Sequence, residues 1–509
     1  MNKKKKDAEE LLDEALVPKE EQLYQIPNNW LWTKFGAVAK LYNGYAFKSK
    51  DYQEEGIPVI RISDIAKDNT SPEKAVKVSP NLYNKRFLIR KGDLLIAMSG
   101  ATTGKTGIYN SEEIALQNQR VGNIKEINQK LLHPEFKNYF VFNNSKEILR
   151  RAYGGAQPNI SGTLIEQLYF PLPPLNEQKR IVEKLKKLLN RIEQVEKVTK
   201  DLPHSLDQLR KSLLESAFLG NLTEEWRKEN QNIESVTKLM ERINKNRRMK
   251  IEEEQITAKV EGRRPRKIRD IKKEVDDSNL PKIPKTWKWE FFQNVADAQS
   301  GVTKGKKYNN ENRVSIPYLR VANVQDGYLD LNEIKEIDVI PEEINKYHLE
   351  NGDLLITEGG DRDKLGRCAI WKNEIDECIH QNHIYRARLY KGLNPNYVSY
   401  IFKSRFAKTY FFENASQSVN LASINLTVLG NLPIPIPPQS EQEEIVRIIN
   451  YYFELFDKIE EEYNQMKEKL SIIKQSILFK AFRGELGTND PNEESAIELL
   501  KEVLQEQVK

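Results

Sequence analysis

Pro173-Pro174-Leu175-Asn176-Glu177-Gln178 and Pro437-Pro438-Gln439-Ser440-Glu441-Gln442 are two copies of one phrase, Pro-Pro-x-x-Glu-Gln. Each closes a stretch of mixed strand and turn character and opens a long helical one, so reading it fixes where domains end and helices begin. Upstream, Ile26-Pro27 with Trp30 and Trp32 returns as Ile283-Pro284 with Trp287 and Trp289. Ile57-Pro58-Val59-Ile60-Arg61 returns as Ile316-Pro317-Tyr318-Leu319-Arg320, and Gly92-Asp93-Leu94-Leu95-Ile96 as Gly352-Asp353-Leu354-Leu355-Ile356. Gln117-Asn118 is matched to Gln381-Asn382, which sets His383 opposite Gln119. Downstream, Lys211-Ser212-Leu213-Leu214 through Ala217-Phe218 and Gly220 parallels Gln475-Ser476-Ile477-Leu478 through Ala481-Phe482 and Gly484. The order is the same throughout, at an offset of about 257 to 264 residues, which is the signature of an internal repeat.

The ends join the pattern. Glu234-Ser235-Val236 with Leu239, Met240 and Ile243 resembles Glu494-Ser495-Ala496 with Leu499, Leu500 and Val503. The second copy stops where the first copy's connector begins, and the amino-terminal segment would complete it if the chain ends lay together.

The expected fold is α+β: two repeated α/β domains separated by two long antiparallel helices that form a coiled coil. The boundaries are a helical segment at 1–25, a first domain at 26–174, a spacer helix at 175–220 and a charged helical connector at 221–282. The second domain at 283–438, a second spacer helix at 439–484 and a helical segment at 485–509 complete the chain. Short β-rich runs such as Asp93 to Met98 alternate with Gly, Asn and Ser punctuation, and helical patterning appears over Phe136 to Arg151 and Tyr397 to Phe412. The four tryptophans read as core anchors.

In the second spacer, Ser440-Glu441-Gln442-Glu443 fits a capping box. Apolar residues follow at Ile445, Ile449, Tyr452, Phe456, Ile459, Tyr463, Met466, Leu470, Ile473 and Ile477, the four-three alternation of a coiled-coil seam. The first spacer gives Ile181, Leu185, Leu188, Ile192 and Val195, then an expected interruption at Pro203. A helix of about 40 residues runs roughly 60 Å and cannot bury one stripe alone, so the two are expected to pair with each other.

Composition bounds the function loosely. The 509 residues carry 80 Lys and Arg against 75 Asp and Glu, a net charge of +5 that permits a nucleic-acid partner without requiring one. No apolar run approaches the ~20 residues of a bilayer span. The basic start Met1 to Lys6 precedes an acidic amphipathic stretch rather than an apolar signal core. Two cysteines cannot build a disulfide framework, and a cytoplasmic protein is the expectation.

The chemical motifs thin out on inspection. Ser99 to Thr106 resembles a phosphate-binding loop, but its required first glycine is Ser99, and the matching segment Gly359 to Arg367 has no Lys-Thr. A turn presenting backbone amides with Lys105 or Arg367 suits both copies better. Cys368, Cys378, His380 and His383 are zinc-ligand types in no familiar spacing, and the first copy lacks them all. No methyl-donor loop, Asn-Pro-Pro-aromatic motif or nuclease carboxylate cluster is found. No catalytic, cofactor-binding or metal residue is therefore assigned. The basic turns remain: Asn43, Tyr45, Lys48, Lys50, Arg61, Thr102, Thr103 and Lys105 in the first copy. Thr303, Lys304, Lys306, Lys307, Arg320, Arg362, Lys364 and Arg367 are their candidates in the second, for phosphate and base-edge contacts. A further cluster, Arg263-Arg264-Pro265-Arg266-Lys267 with Arg269, lies in the connector.

Two domains, each opening Ile-Pro-x-x-Trp, carrying Gly-Asp-Leu-Leu-Ile and closing with Pro-Pro-x-x-Glu-Gln into a long helix, resemble the specificity subunit of Type I restriction–modification enzymes. The resemblance covers nearly the whole chain; the long charged connector departs from the usual pattern. It implies that each domain reads one half of a split, asymmetric double-stranded DNA target, and that the helices dock two methyltransferase (modification) subunits. Restriction/translocase subunits join them. S-adenosylmethionine, ATP and Mg then belong to the partners, with no cofactor in this chain, no catalysis by it and no membrane partner. The competing readings are a stand-alone DNA methyltransferase or nuclease, and a coiled-coil adaptor that binds no DNA.

Overall fold

The computed structural model describes residues 7–66, 69–153, 158–272, 274–305, 312–360, 364–417 and 422–508, with Gln507 by its backbone alone. The chain divides into two compact units: Met1–Lys200 with Asn464–Lys509, and Asp201–Tyr463.

In the first unit, Leu94–Ala97 is buried along its whole length because it is sandwiched inside a four-stranded antiparallel sheet. The strand order is Ala39–Asn43, Val121–Glu126, Leu94–Ala97, Thr106–Ile108. A five-stranded sheet follows the order Tyr52–Gln53, Val76–Val78, Ile57–Ile60, Ala115–Gln117, Leu88–Ile89. Its parallel pair is Ile57–Ile60 with Ala115–Gln117. A short ribbon joins Leu31–Lys34 to Tyr169–Leu172. The main core gathers Trp30, Phe35, Phe140 and Phe170 with Ile181 and Leu185 of the first spacer and Phe482 of the second.

The second unit repeats the plan. Its four-stranded sheet runs Ala296–Ser300, Ile384–Leu389, Leu354–Thr357, Cys368–Ile370, and Lys288–Phe291 pairs with Pro433–Ile436. A three-stranded sheet of Lys335–Val339, Val314–Leu319 and Ile379–His380 stands for the larger one.

Pro-Pro-x-x-Glu-Gln owes its recurrence to buried polar bonds. Trp30 Nε1 donates to Glu177 at 2.7 Å, and Trp287 Nε1 to Glu441 at 2.9 Å. Gln178 accepts from the His133 amide and donates to the Leu131 and Pro173 carbonyls. Gln442 does the same with the Asn394 amide and the Gly392 and Pro437 carbonyls. All four carboxylate and amide side chains are buried, where every such group needs a partner. The tryptophans are core residues, 3 to 6% exposed.

Gly220 and Gly484 end the helices at φ +74° and +73°. A Cβ at Gly484 would lie 2.4 Å from Pro27 Cγ, and one at Gly220 2.5 Å from Pro284 Cγ. Each spacer's end therefore packs on the Ile-Pro of the other copy. The chain ends meet as well: Ala15 shares one core with Leu500, Val503 and Leu504 of the helix Ala496–Val508.

Some expectations hold and others need correcting. The interruption expected at Pro203 is present: the first spacer is two helices, Leu175–Thr199 and Leu202–Phe218, with Pro203 in the first turn of the second, as its ring demands. The second is one 44-residue helix, Gln439–Phe482. It begins before Ser440, so Ser440 is already helical and no cap, while Glu443, the carboxylate of the expected box, accepts from the Gln439 side chain at 3.2 Å. Ion pairs of Arg210 with Asp457 and Glu460 in one unit, and Lys474 with Glu196 in the other, fit antiparallel neighbours. The seam is incomplete: Ile445, Ile449 and Phe456 are buried, but Val195, Tyr452 and Ile473 are 39 to 46% exposed.

The connector is helical only over Glu224–Glu229 and Val236–Val260. The basic run beyond it has no helix and is tied down instead. Arg266 pairs with Asp297, Arg247 donates to the Arg269 carbonyl, and Asn294 exchanges two bonds with the Lys272 backbone. The helical patterns near each domain end are likewise broken, into Pro134–Asn143 with Ser145–Ala152 and Pro395–Lys403 with Arg405–Asn414. No helix among the described residues is long and apolar enough to cross a membrane.

Candidate nucleic-acid interface

In the first unit, backbone hydrogen bonds gather four of the segments singled out by sequence. The Tyr45 amide donates to the Gln117 carbonyl at 2.9 Å, and the Gln119 amide returns to the Tyr45 carbonyl at 2.9 Å. The Asn118 amide reaches the Ile60 carbonyl beside Arg61, and the Met98 amide reaches Arg120. Such closeness leaves no room for a side chain at Gly44, whose Cβ would stand 2.2 Å from the Gln117 carbonyl oxygen. Gly301 is in the same position against His380, at 2.0 Å.

The second unit makes the same bonds. Val302 donates to His380, Asn382 to Val302, Gln381 to Leu319 and Glu358 to His383. This pattern corrects the sequence register by one residue. Asn118 is matched by Gln381, Gln119 by Asn382, and Arg120 by His383. Gln117 and His380, both buried, then do one job: Gln117 Nε2 donates to the Val121 carbonyl, and His380 Nδ1 is 3.0 Å from the Ile384 carbonyl. Burial, helped by Arg386, pushes the His380 imidazole down to about 3.

The proposed contact residues fall into two groups. Asn43, Tyr45, Lys48, Lys50 and Lys105 are exposed in the first unit, as are Thr303 and Lys304 in the second. Of these, Lys48, Lys50, Lys105 and Lys304 have no ion-pair partner among the described residues. Tyr45 is half exposed, its ring 5.1 Å from Phe47 and 5.6 Å from Phe87, on which Arg86 also sits. The other group is engaged within the chain. Arg61 Nε is 3.4 Å from Asp64, Arg320 is 3.4 Å from Glu333, and Arg367 donates to Gln325 at 2.9 Å. Lys364 is partly buried, and its carbonyl accepts from the Thr357 hydroxyl. Lys306, Lys307 and Arg362 lie outside the described residues.

The turn at Thr102 to Lys105 does not present its amides. Thr103 donates to Gly100, Gly104 to Ala97 and Lys105 to Thr102, so three of its four amides are spent within the chain. The Thr103 hydroxyl also turns inward to the Gly100 carbonyl, and that of Thr102 is buried without a hydrogen-bond partner among the described residues. In the connector, Arg263 and Arg266 are ion-paired. Cys368 and Cys378 are free and buried, and no group of three or more potential metal ligands occurs among the described residues.

The model of the Type I restriction modification DNA specificity domain matches this chain twice, over residues 27–203 and 284–468. The chain belongs to that family. This specificity subunit is 28% identical over 471 residues to the Type I restriction enzyme EcoBI specificity subunit of Escherichia coli, covering 91% of this chain and 88% of that one. It is 25% identical over 477 residues to the EcoKI specificity subunit of Escherichia coli strain K12, with 91% and 90% covered. The crystal structure of the HsdS subunit from Thermoanaerobacter tengcongensis shares the fold at a TM-score of 0.56 and 17% identity, over 92% of this chain and all of that one.

Sequence reasoning missed Arg120, Asn382 and Glu358. The signal was present in Gln119-Arg120 and Asn382-His383, two polar pairs before the last central strand, but the register slip paired them wrongly.

Proposed function

We propose that this specificity subunit recognises a split, asymmetric double-stranded DNA target, one half-site per repeated domain. The observation that carries the reading is the pairing of identical backbone bonds with unlike exposed side chains at the four gathered segments. A common scaffold with different polar tips suits one task performed on two sequences: phosphate contacts fix register and base-edge contacts select. Lys48, Lys50, Lys105 and Lys304 suit phosphates, and Asn43, Tyr45 and Thr303 suit base edges or stacking. Arg61, Arg320 and Arg367, already engaged, fit support of the loops better.

The same reading assigns the helices to two methyltransferase subunits, to which restriction/translocase subunits join in the cytoplasm. Exposed apolar side chains on the spacers, Val198, Leu209, Tyr451, Ile472 and Phe479, are compatible with it, as places where a partner could bury apolar surface. The chain would itself be non-catalytic, with S-adenosylmethionine, ATP and Mg held by the partners.

The test is co-expression with the cognate modification subunit in a host free of adenine methylation, followed by genome-wide mapping of modified adenines. One split asymmetric motif is the expected result. No motif from an assembled complex would favour the adaptor, and methylation by the chain alone would favour an enzyme.

A further inference from the structure

The turns at residues 118–121 and 381–384 are superposable in their bonding and unlike in their chemistry. Four consecutive steps are fixed in each. Asn118 and Gln381 donate to the ends of Ile57–Ile60 and Val314–Leu319, Gln119 and Asn382 to the glycine turn, and Arg120 and His383 accept from Met98 and Glu358. The amides of Val121 and Ile384 close the turn on Asn118 and Gln381, both at 2.9 Å. Backbone this constrained holds its side chains in place before any DNA arrives, which is what direct readout requires.

The side chains diverge at the tips. Arg120 is exposed, and although its amide donates to Asn118 Oδ1 at 3.3 Å, its guanidinium has no hydrogen-bond or ion-pair partner among the described residues. In the second unit the equivalent position begins a chain of three groups. His383 Nδ1 lies 2.5 Å from the Glu358 carboxylate, and Asn382 Nδ2 lies 3.4 Å from His383 Nε2. A carboxylate only accepts, so Nδ1 carries the proton and Nε2 accepts from the Asn382 amide. One amide hydrogen and the amide oxygen of Asn382 stay free. The first unit has Met98 in place of Glu358 and cannot build this chain.

We propose that these turns carry the half-site determinants: Arg120 reads a guanine in one half-site, and Asn382, held by His383 and Glu358, reads an adenine in the other. An unpaired guanidinium matches the O6 and N7 acceptors of guanine in the major groove, and a carboxamide matches the N6 donor and N7 acceptor of adenine. The inference rests on the split-target reading and adds which residues divide the target.

Arg120→Ala, Arg120→Lys, Asn382→Ala and His383→Ala, each assembled with the modification subunit, are compared with the unaltered complex by methylation mapping. Arg120→Ala and Arg120→Lys are expected to relax one G·C position of one half-site, cutting discrimination there roughly 5- to 150-fold. Lysine keeps the charge but loses the fork, so phosphate binding survives in that variant. Asn382→Ala is expected to relax one A·T position of the other half-site, and His383→Ala the same position. A motif unchanged in the variants, or a uniform loss over all sites, overturns the inference. An unaltered complex that leaves no split motif overturns the reading beneath it, whereas a wild-type motif preserved in every variant overturns this inference alone.

Discussion

Glu441 is fully buried and holds three donors at once: Trp287, Thr223 and Arg227. Removing it strands a largely buried guanidinium and an indole N–H, so Glu441→Ala is expected to cost the second unit about 3 to 5 kcal/mol. Urea unfolding followed by tryptophan fluorescence measures it. His380 offers a contrast with its own counterpart. A histidine whose folded pKa is about 3 against an ordinary 6.5 stabilises the fold fully above 6.5. That stability drains as pH falls from about 6.5 towards 3, because the unfolded state takes up the proton first. Gln117 fills the same place without titrating. His380→Gln is therefore expected to flatten the acid sensitivity of the second unit in this window, read as thermal midpoint against pH; an unchanged profile would mean other groups set it.

At the level of elements, the sequence was most legible where a residue type has one physical use. Tryptophan bonded to a buried Glu, and glycine after a helix, are such cases: they stand where the spacer helices begin and end. Gly484→Ala meets both a left-handed backbone and the Pro27 ring, so about 1 to 3 kcal/mol is expected to be lost from the first unit. Differential scanning calorimetry would register it as a lowered first-unit transition. Legibility failed where contacts distant in sequence decide. The apolar stripe of the second spacer continues through Tyr452 and Ile473, but the described residues leave these 39% and 46% exposed. The arm after Val260 carries charges that a helix would tolerate, yet Asp297 and Asn294 bind it without one. The turn register slipped because the offset between copies changes inside the domain, from 257 at the tryptophans to 263 at Asn118 and Gln381. Only hydrogen bonds reveal that step.

For the molecule as a whole, repeat order alone disclosed two domains and chain ends that belong together, since each copy is completed by the other's helix. Ending the chain at residue 485 removes Leu500, Val503 and Leu504 from the core they share with Ala15. The first unit is expected to become protease-sensitive and to lose its cooperative unfolding, while the second, which contains none of the deleted residues, keeps its own. Limited proteolysis with mass spectrometry would separate the two. Loss of both transitions together would contradict the division.

The same division dictates an order of birth. Residues 201–463 are contiguous, so the second unit has all its parts once they leave the ribosome. The first unit is started before residue 201 but lacks Phe482 and Leu500 until the whole of the second has been made. At roughly 5 to 20 residues per second, the half-built first domain waits on the order of 15 to 60 seconds for its closing helix. The domain synthesised first is the domain finished last, and during that interval its exposed core is what a chaperone would meet.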